Sequence, residues 1–183
     1  MRRAALSLFL LVFANTAFAE AAFQFAAPSH RSPDDPIVNG VRLSIFHGVN
    51  ETVRGVDFGL LSFSETSNLS GLGLVAGMGK VTGEMSGAAF GVVNYHTGTD
   101  LGLNAALINR IDTVKDGANV GFLNIADGFT AVDVGGLNLS DRSKVQVGFI
   151  NVTKKIDGAQ IGFLNIAENG FLPVFPFFNF PKN

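Results

Sequence analysis

The sequence Gly117-Ala118-Asn119-Val120-Gly121-Phe122-Leu123-Asn124-Ile125 decides the fold, because two later stretches, residues 144–152 and 158–166, repeat it closely. Aligning the rest of the chain on these copies gives nine tandem units, which begin at residues 40, 55, 71, 87, 102, 117, 131, 144 and 158. The spacing between units is 13 to 16 residues. A short fixed period is typical of a repeat architecture, in which each unit buries its surface only against its neighbours.

Within a unit, the second, fourth and sixth residues are apolar, as in Ala159, Ile161 and Phe163, whereas the third is often Asp, Asn or Gln. This alternation predicts a half-buried β-strand whose apolar side chains are buried in a shared core. The seventh residue is apolar too, so the alternation slips, and a bend or bulge near a glycine at the fifth position would explain the slip. The fifth-position glycines are Gly59, Gly91, Gly121, Gly135, Gly148 and Gly162.

The eighth residue of the unit is asparagine in six consecutive copies, whereas the first three copies have His47, Ser62 and Met78 there. If the units stack as parallel coils, these amides lie about 4.8 Å apart and hydrogen-bond up the stack as a ladder, with the glycines stacked at a tight corner. An antiparallel meander would instead place alternate asparagines at opposite ends of its strands. The row therefore favours a β-solenoid. Its members are Asn94, Asn109, Asn124, Asn138, Asn151 and Asn165.

The alternative all-β fold is an antiparallel up-and-down β-barrel, since a strand and a polar hairpin loop also fit the repeat length. Three alternating apolar residues cover roughly 16 Å of strand, less than the ~25 Å apolar band of a membrane barrel. The aromatic girdles of such barrels are also missing, because the chain has no Trp and one Tyr. The solenoid is therefore preferred.

The chain divides into four parts. Residues 1–19 are predicted to be a cleaved signal peptide, because two arginines precede an apolar run and small residues precede the cleavage site after Ala19. Residues 20–39 are interpreted as an N-terminal arm, residues 40–169 as the repeat domain, and the Phe- and Pro-rich residues 170–183 as a C-terminal cap. The polar runs between units are predicted to be exposed loops, as at residues 95–100, 140–143 and 153–155. Asn50 is also predicted to lie in a loop.

Composition excludes several classes of function. After removal of the leader with Arg2 and Arg3, the chain has 11 basic and 15 acidic side chains, a formal net charge of −4. The sequence has no basic patch that could bind nucleic acid. The sequence has no cysteine, which excludes disulfides, thiolate metal sites and a lipid-modified N-terminal cysteine. Stability must come from packing and from backbone pairing.

No group of residues predicts catalysis, a cofactor site or a metal site. His30, His47 and His96 lie in the arm, at the eighth position of the first unit and in a predicted loop, without a second ligand at metal spacing. Calcium bound by Gly and Asp loops stays open as an alternative, because Asp116-Gly117 and Asp127-Gly128 separate strands, although the calcium-binding nonapeptide is absent.

The unit pattern x-G-x-(Q/D/N)-apolar-G-x-x-N and the ending Phe-Leu-Pro-Val-Phe-Pro-Phe-Phe-Asn-Phe at residues 171–180 resemble a family of bacterial surface-repeat-containing proteins. The resemblance covers about residues 40–180 and is weakest in the first three units. It implies an exported protein of a diderm bacterium, located in the periplasm or at the outer membrane and cell surface. The resemblance implies no activity that could be assigned to particular residues of this chain.

The sequence therefore predicts an exported, envelope-associated structural or interaction protein that is not an enzyme and needs no cofactor. Its partner is unknown: an envelope protein and a glycan are the candidates, and association with a membrane is a further option. Two alternatives are a small outer-membrane β-barrel acting as a pore or adhesin, and a calcium-stabilised secreted repeat protein.

Overall fold

The computed structural model describes residues 20–182, so the predicted signal peptide lies outside the described residues. Its strands are β1 (Ala21–Ala27), β2 (His30–Ser32), β3 (Ile37–Val81), β4 (Glu84–Ala167) and β5 (Val174–Asn179). They form one sheet in the order β2-β1-β3-β4-β5. Residues 20–182 contain no helix that is long and apolar enough to cross a membrane.

Strands β3 and β4 are continuous windings rather than straight strands. The 84 residues of β4 would extend about 280 Å if they ran straight. Instead the chain coils, and each unit lies in parallel register on the unit before it: Gly71 pairs with Gly87, and Leu74 pairs with Phe90. This parallel stacking is the predicted β-solenoid, and it differs from the antiparallel barrel in both strand direction and connectivity.

Both ends of the stack are covered by antiparallel strands. At the N-terminal end, β1 pairs in parallel with β3, and β2 folds back antiparallel on β1. Residues 20–39, interpreted from the sequence as an arm, therefore form the first layer of the stack. At the C-terminal end, β5 pairs antiparallel with the last coil, with Phe178 opposite Ile161.

The alternation inside each unit has the opposite orientation to the predicted one. The third-position residues, among them Arg42, Asp57 and Asn104, are buried in all nine units. None of the residues at positions two, four and six is buried. The prediction of inward-facing apolar residues is therefore wrong. The physical reason is that stacking superposes identical positions, so buried amides and carboxylates can hydrogen-bond to each other from coil to coil.

The apolar part of the core comes from the runs between units. One cluster contains Ala21, Val38, Val53, Leu69, Val81 and Met85. Further along the stack, Ile111, Val114 and Ile156 are completely buried. These side chains supply the hydrophobic contribution that the outward-facing residues do not make in the isolated molecule.

The runs between units are strands and not the predicted exposed loops. Residues 95–100, 140–143 and 153–155 all lie within β4, where inward and outward side chains alternate. His96, Asp100 and Thr153 point inward and are almost fully buried, and Asn50 is buried within β3. Their polar character suggested turns, but the interior of the solenoid accepts polar side chains that find partners.

The bulge near the fifth position is present where the third and fourth units pair. The register shifts between Val75 and Met78, so that two residues of one coil oppose one residue of the next. As a consequence Gly79, rather than Met78, lies opposite Asn94.

The first-position glycines mark the closest approach between coils. Gly40, Gly55, Gly71, Gly87, Gly102 and Gly117 have φ between 130° and 152°, a region that side chains rarely adopt. A Cβ atom at Gly102 would lie 1.8 Å from the carbonyl oxygen of Gly87. The later units have Ala131, Lys144 and Gly158 at this position, none with a positive φ, and their coils are shorter.

Replacing Gly102 by alanine should lower the free energy of unfolding by about 1–3 kcal/mol from backbone strain alone, and further through the overlap with Gly87. The matched control is Gly79→Ala, because a Cβ at Gly79 has its nearest neighbour at an ordinary 3.7 Å. Thermal and urea unfolding of the two variants measure the difference. Equal stability of both would contradict the close approach at the first position.

Candidate functional site, a polar core behind an apolar outer face

The six eighth-position asparagines form a continuous hydrogen-bonded ladder. Nδ2 of each asparagine except the last, Asn165, donates to Oδ1 of the next one, and all six residues are almost completely buried. The donor-to-acceptor distances along the row are 3.0 Å for Asn94 to Asn109, 2.8 Å for Asn109 to Asn124, 2.8 Å for Asn124 to Asn138, 2.7 Å for Asn138 to Asn151 and 2.8 Å for Asn151 to Asn165.

The second N–H of each amide binds backbone. Nδ2 of Asn124 also donates to the carbonyl oxygen of Val134 at 3.0 Å, and Nδ2 of Asn138 donates to that of Val147 at 3.0 Å. In both cases the acceptor is the fourth-position residue of the next unit. The four central asparagines therefore tie their own coil to the next one twice, which an aspartate, with no N–H group, could not do. They are Asn109, Asn124, Asn138 and Asn151.

The fifth-position glycines make room for this ladder. A Cβ at Gly148 would lie 2.4 Å from the carbonyl oxygen of Gly135 and 2.5 Å from Nδ2 of Asn138. Gly121, Gly135 and Gly162 meet the same two kinds of atom. Gly59 and Gly91 precede the full ladder, and there the nearest atoms to a Cβ are 3.0 Å and 3.1 Å away.

The third-position residues form a second polar row that the sequence interpretation missed. Nδ2 of Asn104 donates to Oδ1 of Asn119 at 3.1 Å, and Nδ2 of Asn119 donates to Oδ1 of Asp133 at 2.9 Å. Nε2 of Gln160 donates to Oε1 of Gln146 at 2.8 Å. The signal was available, because amide-bearing residues recur at this position in adjacent units just as they do at the eighth.

The first two units fill the third position with an ion pair. Arg42 binds Asp57 in a bidentate manner, with Nε to Oδ1 at 2.8 Å and Nη2 to Oδ2 at 2.6 Å, and both side chains are buried. Ser64 donates to the same carboxylate at 2.8 Å. The next two units have Gly73 and Ala89 here, and these small residues line a cavity in the core.

His96 belongs to the buried network and not to a loop. Its Nδ1 lies 2.6 Å from Oδ2 of Asp100, and the same oxygen accepts from Nδ2 of Asn104 at 2.7 Å. His30 and His47 lie elsewhere, on the wall of an open cleft at the N-terminal end. Among residues 20–182, no three His, Asp or Glu side chains come close enough together to hold a metal ion.

Asp133 is the buried carboxyl with the clearest electrostatic perturbation. Burial raises its pKa, and hydrogen bonds from Thr130, Asn119 and Gln146 oppose the rise without cancelling it. A carboxyl whose pKa is higher in the folded state than in the unfolded chain costs stability once the pH exceeds the unfolded value.

The outer face is an apolar surface that extends along all nine units. We define it as positions two, four and six of the nine units, which carry only Val, Leu, Ile, Ala, Phe and one Gly. Position six runs along one edge of the face, and six of its large side chains are strongly exposed, from 42% for Leu60 to 74% for Phe122, whereas Ile45 is half-buried. Contiguous apolar patches of more than a few hundred Å² mark interaction sites on soluble proteins.

The aromatic side chains of this face are held in place by stacking. The rings of Phe149 and Phe163 are parallel to within 5°, with centroids 5.1 Å apart, and Phe177 of β5 meets Phe163 edge-on at 6.3 Å. The ring of Phe122 lies over Gly136, where an added Cβ would be 3.1 Å from ring carbons. Ordered aromatic groups lose little conformational entropy when a partner covers them.

Charged residues lie outside the outer face and pair with each other there. Arg142 binds Asp157 at 2.7 Å, and Lys80 binds Glu65 at 3.1 Å. These pairs link adjacent coils on exposed or half-exposed surface and contribute little to stability. The exterior beyond the outer face therefore carries these ion pairs together with exposed apolar side chains such as Phe46 and Leu61.

No family model matches this sequence, and no curated protein or solved structure is significantly similar to it. The resemblance to surface-repeat-containing proteins therefore stays a prediction.

Replacing Asn138 by aspartate should lower the free energy of unfolding by about 3 kcal/mol or more. The change buries a charge and removes the N–H groups that bind Asn151 and Val147. The control is Asn68→Asp, because Asn68 is exposed and uses only its Oδ1, which accepts the backbone N–H of Glu84. Unfolding curves of both proteins measure the effect, and an unchanged midpoint for Asn138→Asp would refute the ladder's contribution.

Replacing Asp133 by asparagine should stabilise the protein more at pH 7 than at pH 3. Because the pKa of Asp133 is raised on folding, the wild type loses stability as the pH rises from about 4 through that raised value. Asparagine does not titrate and can still accept from Asn119 and pair with Thr130. Melting temperatures across this pH range test the expectation, with Asp133→Ala as the comparison that should be less stable at every pH. A pH-independent difference between Asp133→Asn and wild type would contradict it.

Proposed function

We propose that this chain is an exported structural or interaction protein of the bacterial envelope, without catalytic activity, that works through its outer face. The observation that carries the proposal is the inverted polarity of the repeat. Eight of the nine units bury a polar side chain at position three or eight, and all nine leave every second-, fourth- and sixth-position side chain at least partly exposed. Stability alone would favour burying those apolar groups, so their exposure supports a binding role.

Export is proposed on the leader sequence. Residues 1–19 combine a basic start, an apolar run and small residues before Ala19, the composition of a cleavable signal peptide. The lack of cysteine is compatible with an oxidising compartment, because no unpaired thiol is exposed to oxidation there. The resemblance to surface-repeat-containing proteins points to the same location.

The buried network supports a scaffold role. Its hydrogen bonds run from coil to coil, as from Asn104 to Asn119 and from Asn119 to Asp133. A chain of paired amides rigidifies the core and so fixes the positions of the side chains on the outer face. A rigid and regular apolar surface suits recognition by shape and apolar contact better than it suits catalysis.

The test is fractionation of a diderm bacterium that produces the full chain. We expect the mature protein to begin at Glu20 and to appear in the periplasmic or outer-membrane fraction, where chemical cross-linking traps it in a larger assembly. The double variant Val92→Glu/Leu107→Glu should be exported equally but lost from that assembly, because it places two charges on the outer face.

The matched control is Thr82→Glu/Thr99→Glu, which adds the same charge at exposed positions off the outer face. It should behave as the wild type. Recovery of the wild type in the cytoplasm with its leader intact would overturn export. An assembly that is identical for wild type and for the outer-face variant would overturn the binding role of the face.

A further inference from the structure

We propose that the partner of the outer face is a second copy of this chain, packed face to face in a two-fold dimer; this inference rests on the proposed function. Two flat apolar sheets that meet in this way bury their side chains against each other at a sheet separation of about 10 Å. The dimer would thereby supply an apolar core that each copy lacks on this side.

The size of the outer face fits a stable dimer. Nine coils stacked at about 4.8 Å span about 43 Å, and five residues of strand span about 16 Å, which gives roughly 700 Å² on each copy. Specific protein interfaces bury about 800 Å² per partner. The face is thus large enough to hold two copies together, provided that most of it takes part.

The charge distribution favours self-association over a lipid surface. Positions two, four and six contain no Asp, Glu, Lys or Arg, so two copies of the outer face meet without repulsion or unpaired charge. Binding to an anionic lipid surface gains from basic residues around an apolar face, whereas this chain carries a net negative charge without its leader.

The covered ends direct association to the side of the stack. The outermost strands of the sheet are β2, which has three residues and is followed by Pro33, and β5, which has six residues and contains Pro176. Short edges and prolines, which lack an N–H, prevent another strand from adding there. End-to-end growth is blocked, and contact through the outer face closes after two copies.

Leu107 is the residue that tests the geometry. It occupies position six of the fifth of nine units, on the central coil of the outer face, and it is 63% exposed. In a two-fold dimer whose axis runs along this central coil, Leu107 lies near the axis and faces its own copy. A change at Leu107 therefore acts twice across the interface while leaving the buried core of each copy untouched.

The experiment is sedimentation equilibrium of the purified mature chain. We expect the wild type to be a dimer, Leu107→Glu to weaken dimerisation at least tenfold, and Thr99→Glu to leave it unchanged, with circular dichroism showing the same strand content in all three. Because the chain has no other cysteine, Leu107→Cys should form a covalent dimer under mild oxidation and Thr99→Cys should not.

A wild type that stays monomeric at about 100 μM, or a Leu107→Glu protein that dimerises as well as the wild type, would overturn the dimer. Flotation of such a monomer with phosphatidylcholine vesicles would assign the face to lipid instead. Loss of the cellular assembly in Val92→Glu/Leu107→Glu, with no dimer and no flotation, would assign it to another envelope protein. If the face binds lipid or another envelope protein, the dimer is wrong but the proposed function stands. The proposed function is wrong too only if Val92→Glu/Leu107→Glu leaves the cellular assembly unchanged.

Discussion

The parallel backbone pairing between successive coils superposes residues that share a unit position, and the other features of the molecule depend on this. Superposition brings the carbonyl of Gly87 against the Cα of Gly102 and aligns Asn124 with Asn138. Each unit position therefore favours a residue type that can pack against, or hydrogen-bond to, the same residue type in the next coil. Glycine allows the approach, and asparagine can donate to and accept from itself.

This constraint also explains why the sequence predicted the solenoid and the ladder residues but not the orientation of the strands. Each asparagine of the row has its hydrogen-bond partner, another asparagine, one unit further along the sequence. The six asparagines from Asn94 to Asn165 were therefore sufficient to argue for parallel stacking. Apolar alternation, by contrast, says which residues share a face and not which face is inside. The third-position residues resolve that question, because Asn104 donates to Asn119 and Asn119 donates to Asp133 where the three side chains are superposed in the core.

The runs between units were misinterpreted for a related reason. Residues 95–100 contain His, Thr, Gly and Asp, which are common in turns, yet His96 and Asp100 form a buried pair at 2.6 Å. Local composition describes the preferences of an isolated segment, whereas the partners that satisfy these groups come from other positions in the stack. The outer face could not be recognised for the same reason: Phe149 and Phe163 have the composition of a core and become a surface only through the winding of the chain.

Because every ladder bond joins nearest neighbours, duplication of one unit in the gene would add one coil and leave the bonds on either side intact, with the end strands still in place. Each such event would lengthen the outer face by about 4.8 Å. The strength of binding through the outer face could then change in steps, by unequal recombination between repeats, without any amino-acid substitution. The change in unit length from 16 to 13 residues along the chain indicates that such steps need not preserve the coil circumference.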